Sequence, residues 1–374
     1  MVHFGSGAVR HVFKILQDLR PSGVFLVTGQ ASYAGCGAAT LHAGLAAWPL
    51  RHFQISRPNP ELMDVERGLA AYRKAREPLI LAVGGGSVLD TAKLIAVLSA
   101  HNSEPRDIVC GTAAITKGGP PVIAVPTTAG TGSESTHFAV VYVDKRKYSV
   151  SHESMMPRYV LVDPDLTASA PPKLAAVTGF DAFSQAMESL WSIHSTNVSD
   201  AYAREALQLA RDHLWHAVHS PTAETRYAMS KSAHLSGRAI NITRTTAPHA
   251  LSYAMTSHFA VPHGHAVALT LGEMLVYNSG GGRHDVVDRR GATHVDKVMT
   301  EIQQLLGGTD AETARGRIVA LANSVGLATR LCDVGIRTAA DRELIVAEVN
   351  TQRLANNPRA LPEARLRELI DRIA

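Results

Sequence analysis

A chain of 374 residues, 45% apolar and 19% charged, has enough core-forming material for two or three folding units and too little polarity for wholesale disorder. Lys and Arg number 37 against 33 Asp and Glu, a net +4 with no basic run, so nucleic acid is not the expected partner. Cys36, Cys110 and Cys332 are odd in number and form no CxxC pair, which excludes a disulfide framework and a zinc knuckle. The N-terminus has no apolar signal core and no stretch approaches the ~18 apolar residues of a membrane span; a cytoplasmic protein without membrane contact is expected.

The first half alternates apolar runs with helical patterns, as parallel sheets with crossover helices do. Strands are expected at 24–29, at 52–57 before the turn Pro58-Asn59-Pro60, at 78–83, and at 122–126. Helices are expected over about 61–76 and from the glycine turn after 83 to about 100. Ala168-Ser169-Ala170-Pro171-Pro172 reads as a boundary, giving units 1–168 and 169–374. Beyond it, period-3.6 segments run near 174–194, 199–217, 222–240, 248–257, 266–277, 295–306 and 309–325, with two more to the end. Gly280-Gly281-Gly282-Arg283-His284-Asp285 reads as a mobile loop. The expected fold is therefore an α/β N-terminal unit followed by an all-helical one.

Two turns carry chemistry in the first unit. Gly84-Gly85-Gly86-Ser87, continuing through Asp90 to Lys93, follows a strand and opens a helix. Backbone N–H groups and the helix dipole converge there on a place for a pyrophosphate, although such a turn also occurs as a plain connection. Pro126-Thr127-Thr128-Ala129-Gly130-Thr131-Gly132-Ser133-Glu134 follows the next strand with hydroxyls and glycines together, and its other reading is a capped helix start. Turns at successive strand ends point to one crevice at the carboxyl edge of the sheet.

In the second unit, Asp181 and Gln185 are four residues apart and share a helix face. His249 follows Pro248, which suits a first helical turn, and His263 lies in Val261-Pro262-His263-Gly264-His265. A carboxylate, an amide oxygen and two imidazoles together suit one divalent ion with a position left open for substrate. Taken singly, Asp181 and Gln185 also read as ordinary capping residues.

These residues identify a resemblance covering nearly the whole chain. From Phe4-Gly5-Ser6-Gly7-Ala8 through Pro58-Asn59-Pro60, both glycine turns, Asp163-Pro164-Asp165-Leu166 and the segment 179–188 to Pro262-His263-Gly264, the chain resembles the iron-containing (group III) metal-dependent alcohol dehydrogenases, relatives of dehydroquinate synthase. The resemblance implies a dinucleotide-binding N-terminal domain, a helical domain carrying the metal and a cleft between them. It further implies NADPH or NADH as cofactor, Fe2+ or Zn2+ as metal and commonly a homodimer. The cofactor residues it implies are Gly29, Ser32, Gly84, Gly85, Gly86, Ser87, Asp90, Thr127, Thr128, Thr131, Ser133 and Lys147. Its metal set maps onto Asp181, Gln185, His249 and His263, with Gln185 standing where the family has His. Tyr253 stands where the family often has another His, so Tyr253 or His265 is the expected proton relay. No carboxylate follows the first strand, where the chain reads Thr28-Gly29-Gln30-Ala31-Ser32, so a 2′-phosphate is tolerated and NADPH is accepted.

Before His249 the chain reads Asn241-Ile242-Thr243-Arg244-Thr245-Thr246-Ala247-Pro248. A guanidinium with hydroxyls at a helix start suits a phosphate-like dianion, held by Arg244, Thr245 and Thr246; alternatively Arg244 faces solvent and the threonines cap the helix. Lys147 and Arg158 add positive charge upstream. The form of this stretch and of the Pro-His-Gly-His run is similar to one branch of the family, the phosphonoacetaldehyde reductases. That likeness implies reduction of phosphonoacetaldehyde to 2-hydroxyethylphosphonate. The alternatives are a reductase of ordinary short aldehydes or diols, and a lyase like dehydroquinate synthase. Against the lyase stands the scarcity of lysine between Lys173 and Lys297, where only Lys231 intervenes.

Overall fold

The apolar runs of the first half become the interior strands of a parallel sheet. The protein is described in a computed structural model over residues 1–36, 39–56, 58–75 and 79–374, and it divides into the units Met1–Ala170 and Pro171–Ala374. In chain order the first unit holds β1 (Val2–Phe4), α1 (His11–Leu19), β2 (Val24–Gly29), α2 (Gln30–Gly35), α3 (Ala39–Leu45), β3 (Leu50–Ile55), α4 (Leu62–Ala75), β4 (Leu79–Gly84), α5 (Gly86–Ser99), α6 (Pro105–Cys110), β5 (Val122–Pro126), β6 (Phe138–Val143), β7 (Arg146–Ser151) and β8 (Tyr159–Val162). Six strands pair in parallel in the order β1-β8-β5-β4-β2-β3, while β6 and β7 form a separate antiparallel pair. The expected strand and helix ends at 57, 76 and 78 lie outside the described residues.

Period-two alternation divides the core. Phe25, Val27, Ile80 and Ala82 face one layer, packing with Leu69 of α4 and Leu94 of α5. Val24, Leu26, Leu79 and Leu81 face the other, packing with Leu16 of α1 and Leu45 of α3. With helices on both faces, the central strands are almost continuously apolar, which makes them legible as buried parallel strands.

Elements not expected from sequence have physical reasons for their silence. β1 is three residues and β8 four, too short to display a period. The β6–β7 turn places Asp144 and Lys145 at φ 51° and 64°, a left-handed pair usually announced by glycine and here made without it.

The second unit is helical: α7 (Pro172–Trp191), α8 (Asn197–His219), α9 (Ala223–Thr243), α10 (Ala247–Phe259), α11 (His263–Ser279), α12 (Ala292–Leu305), α13 (Ala311–Ser324), α14 (Ala339–Ala347), α15 (Thr351–Leu354) and α16 (Glu363–Arg372). Capping boxes at Thr196, Thr222, Asp310 and Thr338 fix the starts of α8, α9, α13 and α14. The glycine-rich loop after α11, expected to be mobile, is fastened instead by the buried Arg359. Its guanidinium donates to Gly282 O at 2.8 Å and to Asp285 Oδ1 at 2.7 Å. No helix among the described residues is long and apolar enough to cross a membrane.

Candidate active site

Three strand ends meet at the start of α5. Thr28 of β2 pairs with Val83 of β4, and Gly84 of β4 with Pro126 of β5, so the strands finish level. The chain winds in opposite directions on either side of the β2–β4 pair, which opens a crevice at the carboxyl edge of an α/β sheet. The two glycine turns lie directly against each other: Thr127 N donates to Gly84 O at 3.0 Å. A Cβ at Gly85 would meet Thr128 Oγ1 at 3.1 Å, and one at Gly86 would meet Thr131 Cγ2 at 2.7 Å. Gly29 adjoins the same place, since its Cβ would come 2.6 Å from Ser32 Oγ and 3.5 Å from Val88. No side chain caps α5 at Gly85, and the buried Thr127 hydroxyl makes no hydrogen bond. First-turn N–H groups at a positive helix end, beside an unsatisfied hydroxyl, suit a pyrophosphate.

Further residues expected at the cofactor, and Lys93 beside them, make contacts within the protein. Asp90 accepts from Ser133 Oγ and, at 2.9 Å, from Val140 N, so the two residues shape the second turn. Lys93, fully buried, donates to Ser133 O at 2.7 Å and Phe138 O at 2.6 Å and reaches Thr136 O and Oγ1 as well. Burial pulls its pKa down to about 8, against the opposing pull of Asp90 and Glu134. Ser87 Oγ accepts from Asn59 N at 3.1 Å. Lys147 sits on β7 opposite Tyr142, in the two-stranded pair.

The second unit gathers the titratable cluster. On α7, Asp181, Gln185 and Glu188 follow one another at spacings of four and three and are all buried on one face. Pro248 in the first turn of α10 sets His249, and α11 begins at His263. Gly264 is required by the approach of α11 to α7, because a Cβ there would lie 2.0 Å from Val177 O and 3.0 Å from Asp181 Cβ. Asp181, His249 and His263 each bring one donor atom to within 4.8 Å of the others.

Glu188, the last residue of the segment 179–188 and not among the expected ligands, organises this cluster. One oxygen accepts from Thr246 N and Thr246 Oγ1, both at 2.9 Å, and the other bonds His249 Nδ1. Its place one turn beyond Gln185 on the same face was the available signal. With Nδ1 directed at Glu188, His249 turns Nε2 to Asp181 Oδ1 at 3.3 Å. Burial alone would lower the His249 pKa, but Glu188 and then Asp181 push it up to about 9. The cluster thus draws positive charge into a buried place. A carboxylate-oriented imidazole, a second carboxylate and His263 fit a divalent cation. Ser252 Oγ lies 2.8 Å from His249 O and 3.3 Å from His263 Nδ1. Gln185 Oε1 accepts from Ser236 Oγ at 3.1 Å, on the same face as Asp181.

The two relay candidates separate. Tyr253 is buried one turn beyond His249 on the same face of α10. His265 is two residues past His263 on α11, about 200° around the helix, and its Nε2 bonds Ala328 O at 2.8 Å. That placement directs His265 away from the cluster. Thr246 differs from expectation too: its hydroxyl accepts from Trp191 Nε1 at 2.7 Å and serves Glu188, leaving it a positioning residue for the cluster rather than an anion ligand. Thr245 is buried and its carbonyl accepts from Asn356 Nδ2 at 2.8 Å. Arg244 is half-buried at the end of α9, its pKa drawn down to about 10 by burial first and then by Arg353.

Comparison with known proteins shows the family. Residues 1–164 match the iron-containing alcohol dehydrogenase family model, and residues 175–374 match the C-terminal model of the Fe-containing alcohol dehydrogenase family. The chain is 34% identical over 333 residues to a phosphonoacetaldehyde reductase of Streptomyces viridochromogenes, covering 86% of this chain and 83% of that protein. It is 28% identical over 393 residues to a sulfoacetaldehyde reductase of Bilophila wadsworthia, covering 99% and 96%. A solved sulfoacetaldehyde reductase from Bifidobacterium kashiwanohense in complex with NAD+ superposes with a TM-score of 0.88 at 27% identity, covering 100% of this chain and 96% of that one. The chain belongs to the iron-containing alcohol dehydrogenase family of oxidoreductases.

Proposed function

We propose that the chain reduces phosphonoacetaldehyde to 2-hydroxyethylphosphonate with NADPH or NADH, at the Asp181–His249–His263 cluster. The observation that carries this reading is Arg244, a half-buried guanidinium at the bend leading into the helix that presents His249. Likeness to a phosphonoacetaldehyde reductase supports the same substrate, and likeness to sulfoacetaldehyde reductases supports the broader class of small aldehydes bearing an anion.

Asp181, His249 and His263, with Gln185 as the fourth donor, would hold Fe2+ or Zn2+, which supplies Lewis acidity toward a carbonyl oxygen. The reduced nicotinamide supplies the hydride and is assigned to the turns around Gly84–Ser87 and Thr127–Ser133. Glu188 keeps the His249 proton on Nδ1 and leaves Nε2 available as a donor of electrons. Thr246 and Trp191 fix Glu188 in turn. Arg244 binds the phosphonate and so orients the aldehyde end toward His249, an entropic contribution made before the reaction begins. Tyr253, on the His249 face of α10, delivers the proton that the product oxygen requires. The segment Gly29–Ser32 carries no carboxylate to repel a 2′-phosphate, which supports acceptance of NADPH.

The test is a steady-state comparison of phosphonoacetaldehyde, sulfoacetaldehyde and propanal, each with NADH and NADPH and with Fe2+ or Zn2+ supplied. The expected order of kcat/KM places phosphonoacetaldehyde first. Equal rates for propanal would assign the chain to uncharged short aldehydes instead, and full activity after exhaustive chelation would remove the metal from the scheme.

A further inference from the structure

We infer that Arg353 is the second guanidinium of the substrate site, forming with Arg244 a two-cation clamp that selects a dianionic phosphonate over a monoanionic sulfonate. The inference rests on the proposed reading of the site as an anionic-aldehyde reductase and adds the residue that sets its selectivity.

The backbone first brings the two together. Arg353 belongs to α15, 109 residues beyond Arg244 in the chain. Its segment is stitched to the start of α10 on both sides: Asn350 N donates to Ala250 O at 3.3 Å, and Asn356 Nδ2 donates to Thr245 O at 2.8 Å. Asn350 also caps the short helix by accepting from Arg353 N at 2.9 Å, which fixes where the arginine emerges. Asn356 O accepts from Ile193 N at 3.1 Å, tying the same segment to the end of α7.

Arg244 is held in place at a conformational cost. It adopts φ 60° and ψ 175°, a region that residues with a Cβ rarely enter. The surrounding bonds enforce it: Arg244 N donates to Ile240 O at 2.9 Å, Thr243 Oγ1 lies 2.9 Å from Arg244 O, and Ser192 Oγ donates to Thr243 O at 2.8 Å. Strain maintained by so many neighbours is characteristic of ligand clamps. Here the strained residue is the arginine at the bend between α9 and α10. The positive charge of Arg353 is felt there, since it adds to burial in lowering the Arg244 pKa. An anion seated between the two guanidiniums is attracted by both, and a dianion more strongly than a monoanion. Guanidinium geometry also favours the paired oxygens of a phosphonate.

The experiment compares kcat/KM for phosphonoacetaldehyde and sulfoacetaldehyde in the wild type, Arg353→Gln and Arg353→Lys, with thermal melting and NADPH binding as checks on folding. The wild type should favour the phosphonate at least tenfold. R353Q should lose roughly 30-fold on the phosphonate, mainly through KM, and bring the two substrates to near parity, while R353K retains part of the preference. A well-folded R353Q that keeps the wild-type ratio overturns the clamp. If R353Q does not fold, competitive inhibition of the wild type decides: methylphosphonate should bind at least tenfold tighter than methanesulfonate, and equal inhibition overturns the inference. If the wild type gives neither anionic aldehyde an advantage over propanal, the proposed function falls and the clamp with it. If anions are favoured but the ratio ignores Arg353, the clamp alone falls.

Discussion

Replacing Glu188 by Gln changes one buried atom and tests whether this carboxylate governs the proposed metal site. Glu188 is fully buried, with one oxygen serving Thr246 N and Oγ1 at 2.9 Å each and the other serving His249 Nδ1. An amide has one acceptor oxygen and one donor nitrogen, so it cannot reproduce both sides. With its oxygen toward Thr246, the NH2 meets the Nδ1–H of His249, and the ring must move its proton to Nε2, the atom facing Asp181. With the amide reversed, His249 keeps its tautomer but Thr246 N–H loses its acceptor, an unsatisfied buried donor worth about 1–3 kcal/mol. Either arrangement also removes the negative charge that holds the imidazole. Loss of such an orienting carboxylate weakens metal binding by about 10–100-fold, or about 1.4–2.7 kcal/mol. Equilibrium competition for Zn2+ or Fe2+ against a chelator of known affinity measures the effect. E188Q should bind more weakly by at least a factor of about ten. A metal affinity within about twofold of wild type would refute the assignment, because 0.4 kcal/mol is roughly what an exposed carboxylate contributes.

Three further outcomes follow from the same contacts. Gly86→Ala places a Cβ 2.7 Å from Thr131 Cγ2 and should raise cofactor KM about tenfold, and Thr131→Gly added to it should restore much of the loss; additive effects in the double variant would contradict the turn-on-turn packing. Lys93→Met should alter the pH dependence of stability. With a folded pKa near 8 and an unfolded one near 10.5, the unfolded chain holds the proton over that window, so wild-type stability rises with pH between the two by at most about 3 kcal/mol. Denaturant titrations of K93M should lack this rise, and identical slopes in the two proteins would argue against a depressed lysine. Tyr253→Phe should lower kcat about 100-fold, whereas His265→Gln should leave kcat within about threefold and lower Tm by about 2–4 °C through the lost bond to Ala328; the reverse pattern would return the relay to His265.

The fold was legible where the hydrophobic pattern was long enough to carry a period. β2, β4 and β5 are buried on both faces and read as apolar runs, and α7 to α13 of the second unit show their period over three or more turns. β1, β8 and the β6–β7 pair were silent because they are short or turn without glycine. The glycine loop after α11 misled in the opposite sense. Composition reports what a segment is free to do, while the buried arginine that fastens it comes from Arg359, far along the chain.

At the site, legibility stopped where a residue acts through atoms its own segment does not hold. Asp181, Gln185, His249 and His263 each carry a local signature of helix face, first-turn proline or glycine neighbour, so spacing was enough to nominate them. Glu188 carries a face but no recognisable duty until the start of α10 crosses it, and Arg353 carries none until two asparagines stitch α15 to α10. Thr246 and His265 show the converse: residue type and proximity in sequence suggested anion binding and proton transfer, but hydrogen bonding commits the first to Glu188 and helix geometry turns the second toward Ala328. Gln185 shows what this implies for the centre. An amide in place of imidazole leaves the formal charge unchanged, so Asp181 and Glu188 still draw a cation with the same total charge. The difference lies in the donor atom, an oxygen already accepting from Ser236 and harder than imidazole nitrogen. If the centre holds the metal we propose, with Gln185 as its fourth donor, the departure would act on which divalent ion is preferred, away from zinc and toward iron, more than on whether an ion is held.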